Sequence, residues 1–159
     1  MSIASRVKWF LEVNRVPYEI IVHPFTRTSC ETAEVSDIPG EKLAKAVILE
    51  DDDGFVMPVV PATRRLDLDK INRALQRNLH LATEADAASL FFDCNKGAIP
   101  AMGAAYGIPT IIDDELLGLG DIYFEGGDHV DLVHMDGTDF FALIPDANHA
   151  DLCASSSTS

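Results

Sequence analysis

The chain has 159 residues, of which 47% are hydrophobic and 24% charged, the length and balance of one globular domain with material for a core. That balance excludes general disorder, and ten glycines with only three cysteines exclude a collagen repeat and a disulfide scaffold. The formal charge of −14 is unevenly placed: residues 1–96 carry 12 basic and 15 acidic side chains, whereas residues 97–159 carry 11 acidic and none basic. Such a distribution argues against tight nucleic-acid binding, DNA included, which draws on a basic face, but leaves room for a local basic patch in the first half. No apolar run reaches the roughly 18–20 residues that cross a bilayer, so no membrane partner is expected. Arg6, Lys8 and Glu12 interrupt the first apolar stretch, which therefore does not read as a secretory signal, and a cytoplasmic location is expected.

In chain order, Ile3, Val7, Phe10 and Leu11 recur at helical spacing and predict a helix over residues 3–13, with Ser2 as its N-cap and Asn14 as its end. Tyr18 to Val22 reads as a short strand running into His23-Pro24. Thr28 and Glu31 have capping-box spacing for a short helix that stops before Pro39-Gly40. Ala46 to Glu50 and Phe55 to Val60 flank Asp51-Asp52-Asp53-Gly54 and predict a hairpin with an Asp-Gly turn. An EF-hand would need an oxygen ligand at Leu49 and a glutamate at Val60, so the acidic turn is read as a turn. Helices are predicted over Asp69 to Asn78 and Thr83 to Phe92. Beyond the glycine-rich Gly97 to Gly103, strands are predicted at Thr110 to Ile112, Ile122 to Phe124 and Val130 to Met135, then a helix capped by Asp136 or Thr138. Residues 1–146 are read as a single domain and residues 147–159 as a flexible C-terminal tail. Short, partly hairpin-linked strands interleaved with helices predict an α/β fold of the α+β type, a mixed sheet with helices packed on it.

Three segments combine backbone freedom with a polar group. Lys45 immediately precedes an apolar strand, where its ammonium can be held over a pocket or extend to water. The loop from Gly97 through Ile99 and Pro100 to Gly103 can turn backbone N–H groups toward an oxyanion, or simply connect two elements. Glu125-Gly126-Gly127-Asp128-His129 offers an imidazole in a glycine turn, as a cleft group or a surface one. Arg64, Arg65, Lys70, Arg73 and Arg77 form a local basic patch, the last three placed on one face of a helix; such a run is either a solvated face or a docking surface. Cys30, Cys94 and Cys153 are widely spaced, the five histidines form no paired ligand motif, and no serine sits in a GxSxG elbow. Neither a metal nor another cofactor is expected.

The order of an N-terminal helix, His23-Pro24, Leu43-Ala44-Lys45 before an apolar strand, Pro61 to Leu68, Gly97 to Gly103 and Gly126-Gly127 resembles the YbaK/prolyl-tRNA synthetase-associated editing domain family over roughly residues 3–145. The resemblance implies a mixed α/β fold with a curved, partly barrel-like sheet and a metal-free pocket that hydrolyses the ester of mischarged tRNA. Lys45 matches the family's invariant lysine and the Gly97 loop its ester-contacting backbone, so Lys45 and Gly97 are the implied catalytic groups. Thr28, His23, Ile99, Pro100, Gly126, Gly127 and His129 are the implied substrate-facing residues, and the Arg64 to Arg77 patch the implied tRNA contact. Ala101 stands where many members carry proline. The implied activity is that of a free-standing aminoacyl-tRNA deacylase acting on the 3′ end of tRNA mischarged with alanine, cysteine or serine, with an aminoacyl-tRNA synthetase as a further partner. The rival readings are a non-catalytic binder of a free amino acid or nucleotide on the same fold, and a regulatory or adaptor protein that uses the scaffold for protein contacts.

Overall fold

The computed structural model describes residues 3–155. Among them, five helices pack on a mixed sheet: α1 (Ser5–Val13), α2 (Ser29–Ser36), α3 (Leu68–Leu75), α4 (Glu84–Leu90) and α5 (Gly137–Ala142). The strands are β1 (Glu19–Val22), β2 (Leu43–Ala46), β3 (Leu49–Asp51), β4 (Gly54–Pro61), β5 (His80–Leu81), β6 (Thr110–Asp113), β7 (Asp121–Glu125), β8 (Asp131–Asp136) and β9 (Asn148–Ala150).

The long strand β4 organises the curved sheet. Its first residues pair with β3 and its last with β2, both antiparallel, while its other edge pairs parallel with β6. From β2 the sheet continues through β7 and β8 to β1, and from β3 it continues to β5. The sequence predicts one strand from Ala46 to Glu50, and the structure divides it at Val47 and Ile48. Val47 N–H donates to Pro58 O at 3.1 Å, but Pro58 has no N–H to return. Met57 turns its own N–H away, to Pro109 O at 2.8 Å.

The Asp-Gly hairpin forms as the sequence predicts, with Asp51 paired to Gly54. The Thr28 capping box is present, and Asp136 caps α5. Ser2 lies outside the described residues. Helix α1 begins at Ser5 with Ala4 at its cap and no side-chain cap of its own; the Arg6 N–H is taken instead by Asp93 Oδ2 at 2.9 Å. Its apolar stripe is the predicted one, with Val7 and Leu11 fully buried in the main core beside Phe124 and Phe140.

The predicted flexible tail is corrected in part. Residues 148–150 form β9, paired parallel with β6, and Leu152 and Cys153 are fully buried against α3 and the β3–β4 face, with Ile71, Val56 and Val60. Leu152 N–H donates to Asp113 Oδ1 at 2.8 Å and Ala154 N–H to Arg65 O at 2.8 Å. A short polar strand carries no local signal, because its hydrogen bonds and its buried neighbours both lie far away in sequence. Leu152→Ala is therefore expected to cost about 2–5 kcal/mol, read as a lower urea midpoint at unchanged slope.

A polar clasp joins three strands on the sheet surface. His134 of β8 bonds Asp121 of β7 through Nε2 at 2.8 Å and Glu19 of β1 through Nδ1; its ring stacks on Tyr123 with centroids 4.2 Å apart. Burial opposes the charged imidazole, but its bonds to Glu19 and Asp121 outweigh that cost and raise its pKa. A raised pKa in the folded state means stabilisation fully present below the unfolded value of about 6.5 and lost as pH rises through the folded value. The stability difference between the native protein and His134→Gln should accordingly shrink as pH is raised from about 6.5 toward 8, and a difference constant with pH would refute a charged clasp.

Candidate active site

Strand β2 lies between parallel β7 and antiparallel β4, with Lys45 opposite Val60. Central pairing fixes the backbone of Lys45, and its half-buried side chain extends until Nζ donates to Arg64 O at 3.1 Å. Lys45 lines a cavity of about 290 Å³ together with the segment from Thr26 to Thr32, the loop residues Gly97 and Ile99, and Glu125 and His129.

The loop at Gly97 presents its backbone to this cavity. Gly97 has φ +81°, a conformation glycine adopts without steric cost. Ala98 N–H is used internally, donating to Asn95 O at 3.0 Å, whereas no described residue accepts the N–H of Gly97 or Ile99. Ala98, Pro100, Ala101 and Met102 are all buried. The loop is thus anchored from behind, and Gly97 and Ile99, whose N–H groups no described residue accepts, both line the cavity.

The turn after β7 forms the opposite wall. Glu125 Oε1 accepts the N–H groups of Gly127, Asp128 and His129 at 3.0, 3.3 and 3.1 Å. His129 is held at φ +66°. Its Nε2 lies 2.7 Å from Lys96 O, and because a carbonyl only accepts, Nε2 carries the proton. The ring also packs on Phe25, centroids 5.0 Å apart, so His129 ties the turn to the Gly97 loop. Beneath the turn, Asp128 Oδ1 accepts from Val130 and Asp131 at 3.0 and 2.7 Å. Burial first, and then the neighbouring Asp128 carboxyl, push Asp131 up to about 6. The two buried acids therefore keep a proton between them at mildly acidic pH.

On the α2 side, Thr32 Oγ1 donates to Thr28 O at 3.0 Å and lies 2.6 Å from Thr26 Oγ1. Each hydroxyl has one proton, so Thr26 donates to Thr32, and the remaining capacity of Thr26 Oγ1 is to accept.

Of the residues predicted for the site, the structure brings Thr28, Lys45, Gly97, Ile99 and His129 together around the cavity. His23, Pro100, Gly126 and Gly127 are not among its lining residues. His23 is buried with Nδ1 donating to Pro24 O at 2.6 Å. Gly126 and Gly127 accommodate the start of the chain instead: a Cβ on Gly126 would stand 2.7 Å from Ile3 Cγ2 and 2.8 Å from Asp131 O, and Ala4 N–H donates to Gly126 O at 2.8 Å.

The basic patch is also redistributed. Arg64 pairs with Glu115 and donates to Ala154 O, Lys70 reaches Asp151 at 2.9 Å, and Arg77 grips Asp51. Helix α3 ends at Leu75 with left-handed Gln76, so Arg77 leaves the helix and does not share the face of Lys70 and Arg73. Arg65 and Arg73 remain exposed. Sequence reasoning missed Thr26, Arg27, Cys30, Thr32 and Glu125 as lining residues. Glu125 had a signal, its place at the head of the glycine turn, whereas the threonine relay exists only after folding.

Among the described residues, the ligand atoms of Asp113, Glu115 and Cys153 converge away from this cavity. Asp113 accepts from Leu152 and Glu115 N–H groups, and Glu115 pairs with Arg64. Burial pushes the Cys153 thiol up to about 12, so it stays protonated and is a poor ligand at neutral pH.

These features define an editing domain: residues 23–143 match the family described as the aminoacyl-tRNA editing domain, and the chain belongs to that family. Proline–tRNA ligase of Thermosipho africanus (strain TCF52B) is 32% identical over 87 residues, which cover 54% of this chain and 15% of the ligase. The chain thus matches only a small part of that relative. A solved structure named "Crystal structure of a putative trans-editing enzyme for prolyl tRNA synthetase" is similar with TM-score 0.82 and 26% identity, covering 96% of this chain and 97% of that one. A chain solved for epitope backbone grafting onto scaffold proteins is similar with TM-score 0.83 and 25% identity, covering 96% and 97%. No helix among the described residues is long and apolar enough to cross a membrane.

Proposed function

We propose that the protein is an aminoacyl-tRNA deacylase acting in trans, hydrolysing the ester that joins a small amino acid, alanine, cysteine or serine, to the 3′ end of a mischarged tRNA. The observation that carries this reading is the meeting of Lys45 with the uncommitted N–H groups of Gly97 and Ile99 around one cavity. The ester carbonyl seats against those donors and gains stabilisation as it becomes an oxyanion; losing one such donor typically costs about 100–1,000-fold in rate. The Lys45 ammonium, steadied by Arg64 O, orients the terminal nucleotide or the developing negative charge.

Attack comes from water or the ribose 2′-hydroxyl. The Cys30 thiol is directed to Ala62 O at 3.4 Å, and the His129 Nε2 proton is committed to Lys96 O, so neither presents an activated nucleophile and base pair. When water attacks, its oxygen joins the carbonyl carbon, the tetrahedral adduct collapses, the departing ribose oxygen takes up a proton, and free amino acid and uncharged tRNA are released. Attack by the 2′-hydroxyl moves the acyl group to that oxygen, and water must still cleave the resulting ester. A synthetase that produces the mischarged tRNA is the natural partner. The steps of this reaction require only the groups named and engage no metal.

Hydrolysis of alanyl-, cysteinyl- and seryl-tRNA by the purified protein should identify the substrate, and Lys45→Ala should lower kcat/KM by at least about 100-fold at unchanged unfolding midpoint. Full activity in a folded Lys45→Ala would refute the mechanism, and silence of the folded native protein across the panel would favour the small-ligand binder. For docking, Arg65→Glu with Arg73→Glu should weaken tRNA binding and flatten its salt dependence by about 0.7–0.9 in log–log slope for each phosphate that is no longer neutralised. Unchanged binding would remove these two residues from the interface.

A further inference from the structure

We infer that Glu125 receives the α-ammonium group of the substrate, and so selects esters that carry a free amine. This inference rests on the deacylase reading and names a substrate-recognition residue within the same cavity. Among the lining residues, Arg27 and Lys45 are cationic and Glu125 is the one carboxylate. An aminoacyl ester carries its ammonium on the carbon next to the carbonyl. Any site that holds the carbonyl therefore brings a positive charge between these cations, and without an anion that charge is repelled and partly desolvated.

Glu125 is built to serve as that anion. It is the last residue of β7, so its backbone is set by pairing with β8. Three N–H donors from its own turn hold Oε1 and fix the direction of the carboxylate. No described residue bonds Oε2, and the side chain is only half-buried beside the cavity. The same turn carries His129, whose Cε1 lies 3.7 Å from where a Cβ on Gly97 would stand, and Glu125 lines the same cavity as Gly97 and Ile99. Thr26 joins the assembly, its N–H donating to His129 O at 3.4 Å. Its hydroxyl oxygen retains only acceptor capacity, which suits a second N–H of the ammonium.

The test compares the preferred aminoacyl-tRNA with its α-hydroxy counterpart, for alanyl-tRNA the lactyl ester, which is nearly isosteric but lacks the charge. Each ester is assayed with the native protein and with Glu125→Gln, so the intrinsic reactivity of the ester cancels. The glutamine oxygen can still accept the three turn N–H groups. Expected is a loss of about 10–100-fold in kcat/KM on the aminoacyl ester, expressed mainly in KM, with the α-hydroxy ester hydrolysed as by the native protein. Equal losses on both esters would show that Glu125 only braces the turn and would overturn the inference. Should Glu125→Gln unfold, the native protein alone decides through N-acetylalanyl- and lactyl-tRNA: turnover of both at the alanyl rate overturns the proposal, and rejection of both supports it. Silence of the native protein on every ester overturns the deacylase reading, a failure distinct from activity that ignores the amine.

Discussion

Pro58 supplies the constraint on which the rest of the architecture depends. It occupies the middle of β4, accepts from Val47 and has no N–H to return, so the strand opposite is interrupted there. The pairing register with β4 is the same on both sides of the break, Ala46 facing Val59 and Leu49 facing Val56; beyond it, β2 leads to β7 and β3 leads to β5. Lys45 stands one residue from the end of β2, just before the division. Leu43 to Ala46, on the near side of the break, line the cavity, so the lysine reaches it from a strand paired on both edges.

The lopsided charge of the sequence has a spatial explanation. Lys42 bonds Asp121, Arg64 bonds Glu115, and Lys70 bonds Asp151, so three cations of the first half are met by acids of the second. Other acids of that second half act on the backbone: Asp113, Glu125, Asp128 and Asp136 each accept main-chain N–H groups in turns or at helix starts. Ion pairs of this kind are screened by solvent and add little to stability. Their larger consequence is that much of the basic patch is already occupied, which concentrates any electrostatic docking of tRNA on Arg65 and Arg73.

Local signals in the sequence carried far. The Thr28 and Glu31 capping box, the Asp51 to Gly54 turn, the Val7 and Leu11 stripe and the Asp136 cap depend on residues within a few positions of one another, and each appears where the sequence places it. Lys45 beside its apolar run and Gly97 at the head of its loop were each suggested by one residue type in one local setting, and both line one cavity, although Lys45 lies within β2 and not ahead of it. Gly126 and Gly127 show the limit: a glycine pair reports that the backbone needs room but not what enters the space, and here Ile3 and Ala4 enter it. Arg77 fails for a related reason, since continuing the helical register past Leu75 ignores the left-handed turn at Gln76. Strands β5 and β9 are only two and three residues long and pair with distant residues, so nothing in their own sequence marks them.

Ala101 bears on how the site is kept rigid. A loop that stabilises an oxyanion must hold its N–H groups in place before the charge develops, since reorganisation during the reaction would cancel the gain. Proline at this position would stiffen the chain by fixing φ; alanine leaves that freedom in the unfolded chain. In the folded protein the freedom is removed by packing: Ala98 is fully buried, and Ala101 and Met102 belong to the main core. Gly103 closes the loop against β6, where a Cβ would stand 2.5 Å from Thr110 Oγ1 and 2.9 Å from Ile108 O. Rigidity from tertiary contacts is coupled to the stability of the whole core, whereas rigidity from a proline ring is local. The donors of this site are therefore only as well ordered as the core beneath them.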